Sequence, residues 1–354
     1  MKISELYRDP FFTLPKQPKA NENFEEFVKN ELESFKSKIK QIKSLEELPF
    51  DLSQINNRQV HLIKNINEAI YNYLNGKPAE AFNKLKEGLQ GSEKNFRRLL
   101  NIREFKRETD FYRLRYNESN KVYSKQNFFH IPFELRGKVK TQRFSIPGFP
   151  SLYLGNSVYV CWEELNRPNI SHFQGVRLSN IETVNVIDLS PPKELELESF
   201  YNYLMVWPLI FASSIKVSNP NDDFKPEYII PQLLLQYVRE DSSIDGISYQ
   251  TTHINFNESL SEGEFLNLVL PVKTNSIKGL CKSLTEMFLI TEANSYQLHN
   301  IATEGAPFYT SKEDGMQTNV NKIELVKGRA TGYKISSLCE LEGTLQKMDL
   351  LKIN

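Results

Sequence analysis

Residues 142–168 read QRFSIPGFPSLYLGNSVYVCWEELNRP. Arg143 precedes a turn at Pro147-Gly148, a short strand runs to Gly155, and Asn156 or Ser157 starts a helix as its N-cap. At about 100° per residue this helix turns Val158, Cys161, Trp162 and Leu165 to one side. Glu164 then falls roughly 110° from the centre of that apolar stripe and Glu163 roughly 150°. The spacing therefore predicts Glu164 at the border between core and cleft, and Glu163 in solvent. A strand followed at once by an amphipathic helix marks a mixed α/β unit.

Outward from this stretch the pattern holds in both directions. Runs rich in Tyr, Phe, Val and Ile, bounded by Pro, Gly and Asn, predict strands over 111–116, 151–154, 185–188 and 246–249. Helices are predicted over 157–165, 197–211 and 230–239, the second carrying Pro208, which predicts a kink or a break. Before Asp110 the periodicity changes. Phe24, Phe27, Val28, Leu32, Phe35, Ile39 and Ile42 step by three or four, as do Val60, Ile63, Ile66, Ile70 and Leu74. The second run stops at Asn75-Gly76, a helix-ending pair, and a third begins near Pro78 and continues through Phe82, Leu85 and Leu89. Residues up to about 105 thus read as a helical bundle. The tail from about Gly279 holds strand-like pieces at 287–291 and 332–335 around a polar loop at 310–319.

The composition excludes several classes. The chain has 354 residues, 44 Lys+Arg against 44 Asp+Glu, 40% hydrophobic and 25% charged residues. Balanced charge argues against a polybasic nucleic-acid binder and against an acidic tail. Its most basic window, 94–115, interleaves Lys94, Arg97, Arg98, Arg103, Lys106, Arg107, Arg113 and Arg115 with Glu93, Glu104, Glu108 and Asp110, the pattern of a solvated face. Cys161, Cys281 and Cys339 lie far apart and fit no metal-ligand spacing, so neither a disulfide framework nor a metal is expected. Cys161, in the predicted apolar face, reads as a small hydrophobe, and the scattered histidines, His253 among them, read first as surface residues. No leader-like or membrane-spanning apolar run is present, which places the chain in the cytoplasm with no membrane partner.

The stretch Arg143 in R-F-S-I-P-G, Tyr153 in L-Y-L-G and Glu164 closing C-W-E-E resembles the RES-domain family, named for its Arg, Glu and Ser residues. That family keeps about ten residues from Arg to Tyr and about eleven from Tyr to Glu; here the two spacings are 10 and 11. D-G-I-S-Y-Q-T from Asp245 is similar to the family's G-I-x-Y-P-S segment, and F-Y-R-L-R from Phe111 to its opening strand. The departure is at the serine: Thr251 stands there, preceded by Gln250 where proline is usual. The resemblance covers roughly residues 110–270.

The resemblance implies an α+β fold, with a mixed α/β RES domain related to ADP-ribosyltransferases preceded by an all-α helical region. The divisions it suggests are 1–107, 108–278 for the NAD-binding domain, and 279–354 as an extension packed on it. It implies NAD as substrate, with cleavage of the bond between nicotinamide and ribose and passage of ADP-ribose to water or phosphate, as in the toxin halves of bacterial toxin–antitoxin pairs. Glu164 would stabilise positive charge developing on the ribose, Arg143 would hold the pyrophosphate, Tyr153 would pack beside the nicotinamide ribose, and Thr251 would orient the same sugar. Arg113 is a second phosphate candidate. Two other readings stay open at this stage: transfer of ADP-ribose to a macromolecule, and a non-catalytic module that senses NAD or ADP-ribose. An antitoxin or other regulatory protein is the partner class implied, and self-assembly is left open.

Overall fold

The structure, a computed structural model, describes residues 9–19, 21–41, 52–90, 100–117, 121–192, 196–254, 259–295, 297 and 318–353. In chain order the helices and strands are α1 (Phe24–Gln41), α2 (Leu52–Leu74), α3 (Pro78–Gln90), β1 (Ile102–Phe105), β2 (Asp110–Tyr116), β3 (Ser151–Gly155) and α4 (Val158–Glu164). There follow β4 (Phe173–Asn180), β5 (Val184–Asp188), α5 (Leu197–Ser214), α6 (Ile229–Glu240), β6 (Gly246–Gln250), β7 (Glu262–Gly263) and β8 (Leu266–Pro271). The chain ends with α7 (Lys282–Met287), β9 (Phe288–Ile290), β10 (Val320–Val326), β11 (Arg329–Gly332) and α8 (Ser337–Lys347). The fold class is α+β. Two compact units divide the chain, each assembled from separated segments.

The first unit comprises Met1–Arg103, Lys140–Pro147 and Val186–Ile247. Its helices arise where the apolar period is 3.6. Phe27, Val28, Leu32, Phe35 and Ile39 of α1 are buried, as are Ile63, Ile66 and Ile70 of α2 and Phe82, Leu85 and Leu89 of α3. Val60 and Leu74, at the margins of the predicted stripe, remain exposed, and Ile42 lies outside the described residues. Gly76, with φ of 75°, takes the left-handed conformation that ends α2. From Tyr203 to Ser213 helix α5 is apolar on nearly every side and is buried accordingly. Its Trp207 stacks on Phe35, with ring centroids 4.5 Å apart, and on Phe211 at 5.3 Å.

Pro208 does not break α5, which runs through it to Ser214. A proline leaves the carbonyl four residues earlier without its helical donor. That carbonyl belongs to Leu204, and the buried side chain of Gln59 donates Nε2 to it at 2.7 Å. The helical bundle read for residues up to about 105 ends earlier, because residues 102–105 form β1.

The second unit comprises Glu104–Val139, Gly148–Asn185 and Ser248–Asn354. Within it β8, β3, β2, β4 and β9 lie side by side in that order, every pair antiparallel. Strand β4, unrecognised in the sequence, pairs with all seven residues of β2, from Asp110 opposite Ser179 to Tyr116 opposite Phe173. Its Gly175 lies close against Leu114: a Cβ there would come within 2.6 Å of Leu114 Cδ2, so that side chain would have to shift. A smaller sheet orders β11, β10 and β7. The strand read at 287–291 is divided, since α7 ends at Met287 and β9 begins at Phe288, and residues 333–335 form a 3₁₀ turn instead of a strand. The polar loop at 310–319 lies almost wholly outside the described residues.

Helix α4 is the centre of this unit's packing. Val158, Tyr159, Val160 and Cys161 join Leu338, Leu341 and Leu345 of α8 and Val320 and Ile323 of β10 in one buried cluster. The predicted stripe is corrected on this point: Trp162 and Leu165 are only partly buried, while Tyr159 and Val160 are fully enclosed. Glu163, expected in solvent, is also buried. The chain after α4 doubles back through Asn166 and Arg167 at φ of 60° and 54°, and Arg167 Nε donates to Glu163 Oε2 at 2.9 Å. Arg167 Nη1 in turn reaches Leu325 O at 3.1 Å, so β10 closes over a surface that a lone helix would show to water.

Candidate active site

The site is built from the ends of three elements of the second unit. Strand β3 runs antiparallel to β8 with Tyr153 opposite Val269 and Gly155 opposite Asn267, so Tyr153 and Asn267 share one face of the sheet. Asn156 then fastens the turn: its N–H donates to Leu266 O at 2.9 Å, its Oδ1 accepts from Leu266 N at 3.1 Å, and its Nδ2 donates to Glu264 O at 2.9 Å. Ser157 begins α4, its Oγ accepting from Val160 N at 3.2 Å. Glu342 Oε2 accepts from Val158 N at 2.8 Å and from Tyr333 Oη at 2.7 Å. The helix packs tightly on the strand, since a Cβ on Gly155 would stand 2.7 Å from Cys161 Sγ.

Glu164 is the last residue of α4, and its carboxylate is held at one oxygen. Oε1 accepts from Thr251 Oγ1 and from Asn267 Nδ2, both at 2.6 Å. Two donors on one oxygen fix the group as an acceptor and set its plane. Oε2 lies 3.5 Å from His253 Nε2, and the Glu164 side chain is 31% exposed, which leaves that oxygen within reach of a ligand. Thr251 and Asn267 are buried. Thr251 follows β6, its N–H donating to Phe265 O at 3.0 Å, and its hydroxyl also accepts from His253 N at 3.2 Å. The threonine hydroxyl therefore caps local backbone and touches the carboxylate at the same time.

The other predicted residues fall as follows. Tyr153 is half-buried on β3, and burial raises its phenol above the ordinary range, with the Arg113 charge opposing. Arg113 spends Nη1 on Phe128 O at 3.2 Å and Phe129 O at 2.9 Å, holding a loop to β2; burial, with the like charge of Arg115, lowers its pKa to about 10. Arg143 belongs to the first unit, where Nη1 donates to Ser213 O at 3.1 Å and the guanidinium lies 5.3 Å from the Tyr228 ring centroid. The structure thus brings Glu164 and Thr251 into contact, and gives Arg143 partners within the first unit. Cys161 donates its thiol to Tyr112 O at 3.1 Å, and burial pushes its pKa up to about 12, which removes it as a nucleophile.

Two residues escaped the sequence reading. Asn267 had a signal: it interrupts the apolar run from Phe265 to Leu270. Glu342, one residue among many acidic positions on a predicted surface, had none. In the basic window, Lys94, Arg97 and Arg98 lie outside the described residues, while Arg103 Nε pairs with Asp188 Oδ2 at 2.7 Å. Among the described residues no group of three His, Cys, Asp or Glu side chains is placed to hold a metal ion, and no helix is long and apolar enough to cross a membrane.

These observations define the class: an α+β protein whose antiparallel unit presents a partly exposed carboxylate clamped at one oxygen and facing a histidine at the other. A Bacillus subtilis (strain 168) protein named "Putative toxin YopC" is 35% identical to this chain over 326 residues, which span 83% of the chain and 73% of YopC. The chain belongs to the YopC family. No protein-family model matches it, and no solved structure does.

Proposed function

We propose that this protein is a toxin that destroys NAD by cleaving the bond between nicotinamide and ribose, passing ADP-ribose to water or phosphate. The observation that carries the reading is the Glu164 carboxylate, fixed at Oε1 by Thr251 and Asn267, with Oε2 3.5 Å from His253 Nε2 on a partly exposed side chain. Support comes also from the toxin name of its relative and from the Arg143, Tyr153, Glu164 spacing of the RES resemblance. In NAD the pyridinium nitrogen already carries the positive charge, so nicotinamide departs neutral with the electron pair of the C1′–N bond and needs no acid. The charge moves to the ribose, and a carboxylate beside it, oriented before the reaction, stabilises that cation. Glu164, held at Oε1 by two donors, suits this role.

Tyr153, on the same sheet face as Asn267, supplies an apolar ring wall for the sugar. Thr251 acts here by positioning Glu164, and the retained hydroxyl explains how a threonine serves where the family carries serine. The pyrophosphate role of Arg143 rests on spacing alone. An antitoxin-like regulatory partner follows from the toxin reading.

The experiment is incubation of the full chain with NAD and chromatography for free nicotinamide, with Glu164→Gln in parallel. Release by the wild type, reduced about 10²-fold or more in the variant, is the expected result. No release by the wild type, or equal release by both, overturns the proposal.

A further inference from the structure

We infer that His253 is a second catalytic residue at this site, the base that takes the proton from the water attacking ribose C1′. This inference rests on the NAD reading and deepens it by assigning the acceptor: the ADP-ribosyl group goes to water. Three features of the geometry lead there. His253 Nε2 stands 3.5 Å from Glu164 Oε2, the oxygen left open by Thr251 and Asn267. At that separation the two groups are neighbours but not a full hydrogen-bonded pair, so each keeps capacity for a third group beside them. The backbone of His253 is also tied to the site, because its N–H donates to the Thr251 hydroxyl that grips Glu164. Finally, the His253 and Glu164 side chains are 35% and 31% exposed, so water reaches both.

The step balances as follows. The C1′–N bond breaks and nicotinamide leaves with its electron pair, giving a ribose cation opposed by Glu164. A water in hydrogen-bond reach of Nε2 and Oε2 forms the C1′–O bond, and one of its protons passes to the imidazole nitrogen. The products are nicotinamide, ADP-ribose and a proton, which the histidine then returns to solvent. A pair of side chains in this arrangement divides the labour, with the carboxylate meeting the cation and the imidazole meeting the proton.

The test uses the full chain carrying His253→Ala or His253→Gln, with azide as probe. Azide attacks carbon without surrendering a proton, so it bypasses a missing base. Expected is a fall of about 10²-fold in kcat with water, KM for NAD within about threefold of wild type, and recovery of nicotinamide release on adding azide, with ADP-ribosyl azide as product. Glu164→Gln should not recover with azide, because its lesion is in the cation-stabilising group. Wild-type kcat in both histidine variants, or a loss that azide does not repair in either, overturns the histidine role while the NAD reading stands. A wild-type protein that releases no nicotinamide overturns that reading, and this role with it.

Discussion

Glu342 Oε2 lies 2.8 Å from the Val158 backbone nitrogen, so the helix that ends at Glu164 is capped by a carboxylate 184 positions further along the chain. Tyr333 Oη donates to the same oxygen at 2.7 Å. Burial pushes the Glu342 pKa up to about 7 from an ordinary 4.5, against the lowering effect of those two donors. Between those values the folded protein keeps a proton that the unfolded chain has released, so this group's contribution to stability falls as pH rises through that window and is level above it. The full span is on the order of 3 kcal/mol. Glutamine keeps the two acceptor contacts without titrating. Denaturant melts at pH 5 and pH 8 should show Glu342→Gln gaining on the wild type as pH rises. A difference that stays constant with pH would contradict the burial argument.

The clamp on Glu164 predicts a graded series. Asn267→Leu and Thr251→Val each remove one donor to a charged oxygen, a loss of about 1.5–3 kcal/mol, or about 10- to 100-fold in nicotinamide release. Thr251→Ser retains the hydroxyl and should stay close to wild type. Equal activity in Thr251→Val and Thr251→Ser would show that the hydroxyl contributes nothing to the carboxylate.

In the first unit, Gln59 serves the Leu204 carbonyl that Pro208 leaves without a helical donor. Gln59→Leu should cost about 1–3 kcal/mol, the penalty for a buried unsatisfied carbonyl. Pro208→Ala returns the missing N–H, so the same Gln59 change should cost less in that background. Urea melts of the two single variants and the double variant measure the coupling, and strict additivity would count against it.

Gly155 is needed for space at the junction of β3 and α4. Gly155→Ala places a Cβ 2.7 Å from Cys161 Sγ and 3.3 Å from Val160 Cγ1, and should destabilise by about 1–3 kcal/mol. Adding Cys161→Ala removes the nearest clash and should recover part of the loss in thermal melts. With its thiol pushed up to about 12, Cys161 should also resist iodoacetamide at pH 8 in the folded protein and react once urea is added.

Much of the local structure was legible in the residues themselves. The 3.6-residue stripe of α1, the Asn75-Gly76 stop of α2, the Ser157 cap and the strand at 151–155 all follow from neighbouring side chains and backbone preferences. The border position of Glu164 followed from the helix angle alone. Thr251 was singled out by standing where the family carries serine, but the sequence left its contact with Glu164 undetermined. The angle failed for Glu163, because it assumed a helix with one solvated side. Arg167, four residues on, covers that side together with β10, whose residues lie more than 150 positions away.

The sequence by itself determined where most of the helices and several of the strands form, though not β1 or β4, because a repeat of apolar residues, a cap or a turn is a property of consecutive positions. Tertiary structure alone decided what those elements meet: Asn267 and Thr251 on Glu164, Glu342 on Val158, Gln59 on Leu204. Each of these is a polar group buried by packing, and a buried donor or acceptor must find its partner wherever the folded chain brings one, at a distance in sequence that no local pattern encodes.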